Sequence, residues 1–239
     1  MSELLFYERV VPLNDVQHKD LRMSPVTAYG FSRGVNSVPV VLAELAEASR
    51  EYPIAFVKSA EGGFLPVVLL GLREKENLFV DAEGQWAANY IPAFVRRYPF
   101  VPANGPNGQF LVCIDADADC LRANDGQPLF NDGKRTPALE NALRYLREFH
   151  ASGLAAAAAC QRLAKLGLLR EVGTQAQLPS GERFQLSGLQ VIDEEKLRAL
   201  DASTVNELFR HGDMKLIYAH LLSMGNMQRL LDRLGKRLS

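Results

Sequence analysis

The 239-residue chain predicts an α+β fold: an N-terminal antiparallel sheet with flanking helices, then a helix-rich C-terminal half. Three observations carry this expectation. Before Asp115 the apolar runs are short, β-branched or aromatic, and alternate at strand period. After Thr136 they recur at helical spacing. The connections between the early runs are too short for parallel crossovers, which favours antiparallel pairing.

Residues 4–13 read as the first strand, with Leu5, Tyr7, Arg9 and Val11 alternating against Phe6, Glu8 and Val10. A loop holding Pro25, Gly30, Gly34 and Asn36 follows. Pro39 suits the start of a helix through Tyr52, with Val41, Leu42, Leu45 and Ala48 on one side, and Pro53 ends it. Ile54–Lys58 and Phe64–Leu72 flank Ala60-Glu61-Gly62-Gly63, which is hairpin chemistry. Leu78–Asp81 continues the meander, and Phe110–Ile114 supplies a further strand. Residues 101–109 and 119–135, rich in Gly, Pro, Asn and Asp, read as loops.

Thr136-Pro137 is an N-cap and first-turn pair, followed by Leu139, Leu143, Leu146, His150 and Leu154 at helical spacing. Gly153 either interrupts this helix or admits a close neighbour, and the alanine run 155–159 carries it toward Gly167. A small hairpin is expected over 176–192, then helices at 194–200, 203–211 and 213–238, the last two separated by a stop at Gly212. Ile217, His220, Leu221, Met224, Met227, Leu231 and Leu234 form the apolar stripe of the final helix. Residues 1–135 thus form a mixed region with the sheet. Residues 136–239 form a helix-rich region with a hairpin, packed on the first as one compact unit.

Composition narrows the function classes. Twenty-seven basic and 28 acidic residues are well mixed, giving a net charge of −1 and no basic face for nucleic acid. The basic tail, Arg229, Arg233, Lys236 and Arg237, suits a helix C-terminus. No apolar run approaches the ~20 residues that span a bilayer. The N-terminus lacks the basic segment of a secretory signal, and three scattered cysteines fit reduced thiols, so a cytoplasmic location is expected. A homo-oligomer is compatible with these features.

No catalytic signature is present. Asp115-Ala-Asp117-Ala-Asp119 resembles a calcium loop, but Cys120 and Gly126 occupy the places of the required glycine and glutamate. The four histidines are dispersed, and His150 and His220 sit on apolar helical faces, where a hydrogen-bonded core histidine is the common outcome. There is no GxSxG elbow and no phosphate loop. Cys113 and Cys160 read as buried and inert. No metal and no cofactor is expected.

One stretch stands out: Trp86 to Phe100, WAANYIPAFVRRYPF, which holds the only tryptophan, two tyrosines, two phenylalanines, adjacent arginines and two prolines. Pro92 starts a short helix that Pro99 stops by about Arg97. Arg96 and Arg97 lie about 100° apart on it, so they need not reach the same object. Two readings stand. Trp86, Tyr90, Arg96, Arg97 and Tyr98 form a recognition edge for a carboxylate or phosphate, or the block is a hinge packing aromatics while an arginine satisfies backbone carbonyls.

The order YPIAFV (52–57), PVVLLGL (66–72), ENLFVDAEGQW (76–86), YIPAFVRRYPF (90–100), FLVCID (110–115), GLQVIDEEKLRAL (188–200) and LIYAHLLSMGNMQRL (216–230) resembles the bacterial SapC family, over almost the whole chain. This is distinct from the peptide-transporter permease of the same name. The resemblance implies an accessory protein linked to surface-layer production, with relatives beside flavin-dependent halogenases and outer-membrane receptors. It transfers no reaction and no catalytic residue. Two function classes follow: a binding protein for a protein, peptide or small-molecule ligand in a surface-layer, uptake or tailoring pathway, or a cofactor-dependent tailoring enzyme acting with a flavin-dependent halogenase system.

Overall fold

The computed structural model describes residues 5–60, 62–105, 109–122, 125–177 and 183–238; of residues 104, 173–177 and 183–187 only the backbone is described. The fold is α+β with antiparallel pairing throughout. Strands β1 (Val10–Pro12), β6 (Phe100–Asn104) and β7 (Phe110–Asp115) form a three-stranded sheet in the order β1-β7-β6. A second, five-stranded sheet combines β3 (Ser37–Pro39), β4 (Ile54–Lys58) and β5 (Phe64–Leu69) with the late hairpin β11 (Leu169–Gln177) and β12 (Arg183–Ile192). Its order is β11-β12-β4-β5-β3, so the late hairpin joins the early strands through β12 beside β4. Two short ribbons pair β2 (Arg22–Met23) with β8 (Gln127–Pro128), and β9 (Phe130–Asn131) with β10 (Lys134–Arg135).

The helices are α1 (Leu45–Glu51), the single turn α2 (Ala93–Arg96), the long α3 (Pro137–Lys165), then α4 (Glu194–Arg198), α5 (Ala202–His211), α6 (Asp213–Ser223) and α7 (Asn226–Leu238). They concentrate in the C-terminal half, as expected. The N-cap of α3 is Thr136, whose hydroxyl accepts from the Leu139 amide, with Pro137 in the first turn. Twenty-nine residues at 1.5 Å each make this helix about 43 Å long. It therefore serves two apolar clusters. Leu139, Leu143 and Leu146 pack with Phe100, Ile114 and Leu129, while Ala159, Cys160 and Leu163 join the main core with Phe56, Val68, Leu216 and Leu230. Gly153 does not interrupt the helix, and a Cβ there would meet Val41 at an ordinary 3.7 Å. Left-handed glycines close α3 and α5, Gly167 at φ 66° and Gly212 at φ 78°.

Several elements differ from expectation. Only Val10–Pro12 of the predicted first strand forms a ladder. The amides of Glu8 and Arg9 donate instead to the Asp115 carboxylate at 2.9 and 3.0 Å, and Phe6 and Tyr7 are both buried rather than alternating. Pro39 lies in β3. The following helix is delayed to a 3₁₀ turn at Leu42–Glu44, because Val41 is extended with its amide held by Glu44 at 3.0 Å. The expected strand at 78–81 is a single bridge between Val80 and Trp86. Residues 100–104, read mostly as loop, form β6; Pro102 is tolerated there because β6 is a sheet edge. The 119–135 loop carries three ribbon strands, β8, β9 and β10, and the buried Leu129 and Phe130, while 106–108 and 123–124 lie outside the described residues. The tip of the predicted hairpin, 178–182, also lies outside them; β11 starts earlier than expected, at Leu169. The last helix breaks at Met224-Gly225 into α6 and α7.

Three arginines of the basic tail reach distant carbonyls rather than only the end of their own helix. Arg229 donates to Arg50, Arg233 to Ala87, and Arg237 to Asn77 and Val80. Helix α7 thereby ties down the loop that leads to the aromatic–arginine block. Among the described residues no helix is long and apolar enough to cross a membrane.

Candidate functional site

The aromatic–arginine block is held from behind by a buried carboxylate. Glu44 accepts from the Val41 amide at 3.0 Å, the Ala93 amide at 2.7 Å and the Tyr90 hydroxyl at 2.8 Å. Burial pushes its pKa up, and these three donors oppose that shift. Pro92 precedes the one turn of α2, and the Tyr98–Pro99 peptide is cis. Because successive helical residues point about 100° apart, the two arginines separate. Arg96 faces out and Arg97 faces in.

Arg96 is exposed. Its Nε donates to the Ile91 carbonyl and its Nη2 to the Tyr90 hydroxyl, both at 2.9 Å, with the guanidinium over the rings of Tyr90 and Tyr145. Arg97 is only 2% exposed. Its guanidinium lies 3.8 Å from the centre of the Phe94 ring and 5.2 Å from that of Phe149. Its Nε donates to the Tyr7 hydroxyl at 3.0 Å, and Tyr7 donates onward to the Phe100 carbonyl at 3.2 Å. Nη2 is fully buried and has no hydrogen-bond partner. Burial drives the pKa of Arg97 down, while the groups that act on it in the opposite sense are the phenols of Tyr7 and Tyr145. Among the described residues no carboxylate pairs with it.

Beside these arginines is a cavity of about 390 Å³. Met23, Val26 and Tyr29 form one wall; Ala142, Tyr145 and Leu146 of α3 form another; Phe100 and the run Arg96–Tyr98 complete it. Tyr98 stacks on Phe31 at 3.9 Å and 15°, and Tyr145 donates to the Ala93 carbonyl at 3.1 Å. Burial raises the pKa of Tyr98 and lifts Tyr145 to about 12, so both are neutral phenols near pH 7.

Of the five residues singled out in the sequence, Arg96, Arg97 and Tyr98 line the cavity. Trp86 and Tyr90 stand behind it. The Trp86 indole donates to the Tyr52 hydroxyl at 2.9 Å, lies parallel to Phe79 and meets Tyr29 edge-on. Tyr52 donates to the Tyr90 carbonyl. Tyr29, Tyr145, Tyr7 and Glu44 were missed by reading the block alone. Ala142, Tyr145, Leu146 and Phe149 follow helical spacing on α3, a signal that was available for Tyr145. Nothing local marks Tyr7 as a partner of Arg97.

The remaining candidate chemistry resolves into structural roles. Asp115 is buried and binds three backbone amides, those of Glu8, Arg9 and Asp117; Asp117 pairs with Arg9 and Arg122. Among the described residues no group of three or more His, Cys, Asp or Glu converges to hold a metal. His220 is a core histidine, bonded to Ile54 and Ile192 backbone. Burial raises the thiol pKa of Cys113, of Cys120 to about 11 and of Cys160 to about 12, which keeps all three protonated.

A family model, SapC, matches residues 13–230. No curated protein and no solved structure matches the chain.

Proposed function

The chain belongs to the SapC family, and on that premise we propose that it is a cytoplasmic accessory protein that binds a small ligand in the cavity beside Arg96–Tyr98. The carrying observation is that this cavity is walled by side chains already fixed in place. Stacking on Phe31 holds Tyr98, the Ala93 carbonyl holds Tyr145, and Glu44 holds the turn that carries both arginines. A pre-ordered wall loses little freedom on binding, which is where affinity is usually lost. The volume lies in the range of small-molecule sites. The polar groups offered to a ligand are the exposed Arg96 guanidinium and neutral phenols, donors suited to recognition, and no nucleophile–base pair is among them.

The service of such a ligand to surface-layer production, uptake or a tailoring pathway belongs to the same proposal. Native mass spectrometry of protein purified from cells, searched for a retained small molecule, tests the binding. Retention by the wild type and its loss in Ala142→Phe, which fills the cavity from the α3 wall, is the expected result. Equal retention in both places the ligand elsewhere and defeats the proposal.

A further inference from the structure

We infer that Arg96, aimed by Glu44 through Tyr90, is the anion-recognising residue of the cavity. It takes the carboxylate of a monoanionic ligand whose apolar body lies against Met23, Val26, Phe100 and Leu146. This rests on the reading of the cavity as a ligand site and names the residue and the chemistry that select what fills it.

Arg96 is the cation that a ligand can reach. It is exposed and lines the cavity, with its guanidinium over the ring of Tyr145, another wall residue. A guanidinium carries N–H donors on every nitrogen. Nε gives its hydrogen to the Ile91 carbonyl and Nη2 gives one to the Tyr90 hydroxyl, both neutral acceptors. Among the described residues Nη1 and the second hydrogen of Nη2 have no acceptor, and no carboxylate touches the group. The contacts it does make hold it in place. Tyr90 donates its own proton to Glu44 at 2.8 Å, and Glu44 is anchored by the Val41 and Ala93 amides. The chain Glu44–Tyr90–Arg96 thus fixes where the guanidinium lies, and the free N–H groups match the two oxygens of a planar carboxylate at little ordering cost.

Arg97 contributes a field and no contact. The residue is 2% exposed, its Nη2 is fully buried and its Nε is taken by Tyr7. No carboxylate pairs with it among the described residues, and such an unbalanced charge acts across several Å. Glu44 offsets one of the two cations, and a monoanion on Arg96 offsets the other. On the Tyr98 side, burial and then the charge of Asp115 push the phenol pKa up, and the same charge turns an anion toward Arg96. A phosphate dianion needs several converging donors or a helix N-terminus. The phenols beside Arg96 have already donated, Tyr90 to Glu44 and Tyr145 to the Ala93 carbonyl, which leaves the guanidinium as the donor at this end. Helix α3 meets the cavity at Ala142, Tyr145 and Leu146, past its first turn, so its N-terminal amides do not serve it. Apolar side chains form much of the remaining wall, which suits a ligand with a charged end and an apolar end.

Titrations with 3-phenylpropanoate, its primary amide, 2-phenylethyl phosphate and acetate test this directly. Calorimetry and ligand-detected NMR would be run on the full chain as wild type, Arg96→Met, Arg96→Lys, Tyr90→Phe and Ala142→Phe. Saturable binding of 3-phenylpropanoate is expected, with the amide, the phosphate and acetate each at least about tenfold weaker. Arg96→Met should bring the acid down to the level of the amide, Arg96→Lys should fall between, and Ala142→Phe should abolish binding of both. Tyr90→Phe should narrow the preference for acid over amide; an unchanged preference overturns the aiming role of Tyr90. Equal binding of acid and amide by the wild type, or an acid affinity unchanged by Arg96→Met, overturns the charge assignment while leaving the cavity as a ligand site. Tighter binding of the phosphate overturns the carboxylate, and equal binding of acetate overturns the apolar body. Absence of 3-phenylpropanoate binding to the wild type overturns the inference, and the retained-ligand measurement then decides separately whether the cavity binds anything. Arg96 is exposed, so its variants should fold, and the wild-type comparison of the four compounds depends on no variant.

Discussion

Arg97 and Tyr7, ninety positions apart in the chain, are joined by a buried hydrogen bond of 3.0 Å from the guanidinium Nε to the phenol oxygen. Through it the segment before β1 is locked to the turn that presents the cavity. The bond passes on, because Tyr7 itself donates to the carbonyl of Phe100, the first residue of β6. The two adjacent arginines thus separate. Arg96 lies at the surface against a backbone carbonyl and a tyrosine, and Arg97 lies inside against aromatic rings.

The first prediction follows from the unbalanced charge. Arg97→Met keeps an apolar stem of similar length and removes the buried cation, and Tyr7 retains its acceptor at Phe100. Its unfolding free energy should change by less than about 1 kcal/mol, or rise. Tyr7→Phe should cost about 1.5–3 kcal/mol, since it strands the charged donor. In Tyr7→Phe/Arg97→Met the second change should relieve the first, a non-additivity that urea unfolding resolves. A loss of several kcal/mol for Arg97→Met alone would make the guanidinium a structural strut.

Glu44 predicts a different outcome for a change that is nearly isosteric. All three of its partners are donors, two amides and a hydroxyl. An amide side chain must turn its NH₂ toward at least one of them. Glu44→Gln should therefore destabilise by about 2–3 kcal/mol, with the Tyr90–Arg96 contact loosened. A stability equal to wild type would remove Glu44 as the anchor of this turn.

His220 predicts a pH dependence. Its Nδ1 lies 2.7 Å from the Ile54 carbonyl and its Nε2 accepts from the Ile192 amide at 3.2 Å, an arrangement that needs the neutral ring. Burial depresses its pKa in the folded protein below 6.5. Below pH 6.5 the unfolded chain takes up a proton that the folded one does not, so this contribution is present above that pH and declines as pH falls toward the folded value. His220→Gln should be destabilised at pH 7 by about 2–3 kcal/mol through imperfect pairing of the two backbone groups. Its deficit should shrink between pH 6.5 and 5. A constant deficit across that range would mean the ring takes up its proton equally in the folded and unfolded chain, with no depression by burial.

The bidentate pair of Arg162 with Asp213, at 2.7 Å on both arms, ties α3 to the first residue of α6. Asp213 is buried, whereas the Arg162 side chain is 36% exposed and can recover water if its partner is lost. Asp213→Ala should cost about 2–3 kcal/mol, below the full cost of orphaning a buried charge. A double-mutant cycle with Arg162→Ala should show coupling well above that of the exposed Arg198–Glu194 pair. Equal coupling would reduce the pair to a surface contact.

Local chemistry made much of the fold legible. Thr136-Pro137 marked the start of α3, Gly212 separated α5 from α6, and Pro92 and Pro99 bracketed α2. Each of these signals acts within a few residues, through a cap, a left-handed glycine or a fixed φ. The same holds for β4, β5 and β7, whose runs carry their own strand patterning, and for the family, whose blocks are contiguous. The separation of Arg96 and Arg97 by about 100° also follows from helix geometry alone. What tertiary structure decided was which of them is buried, that Asp115 captures the amides of residues 8 and 9, that β12 docks beside β4, and that Tyr7 and Tyr145 complete the site. These pairings close loops of tens to over a hundred residues. Such contacts form because burial and unsatisfied polar groups make them favourable once the chain is compact, and no period or spacing along the sequence encodes the partner.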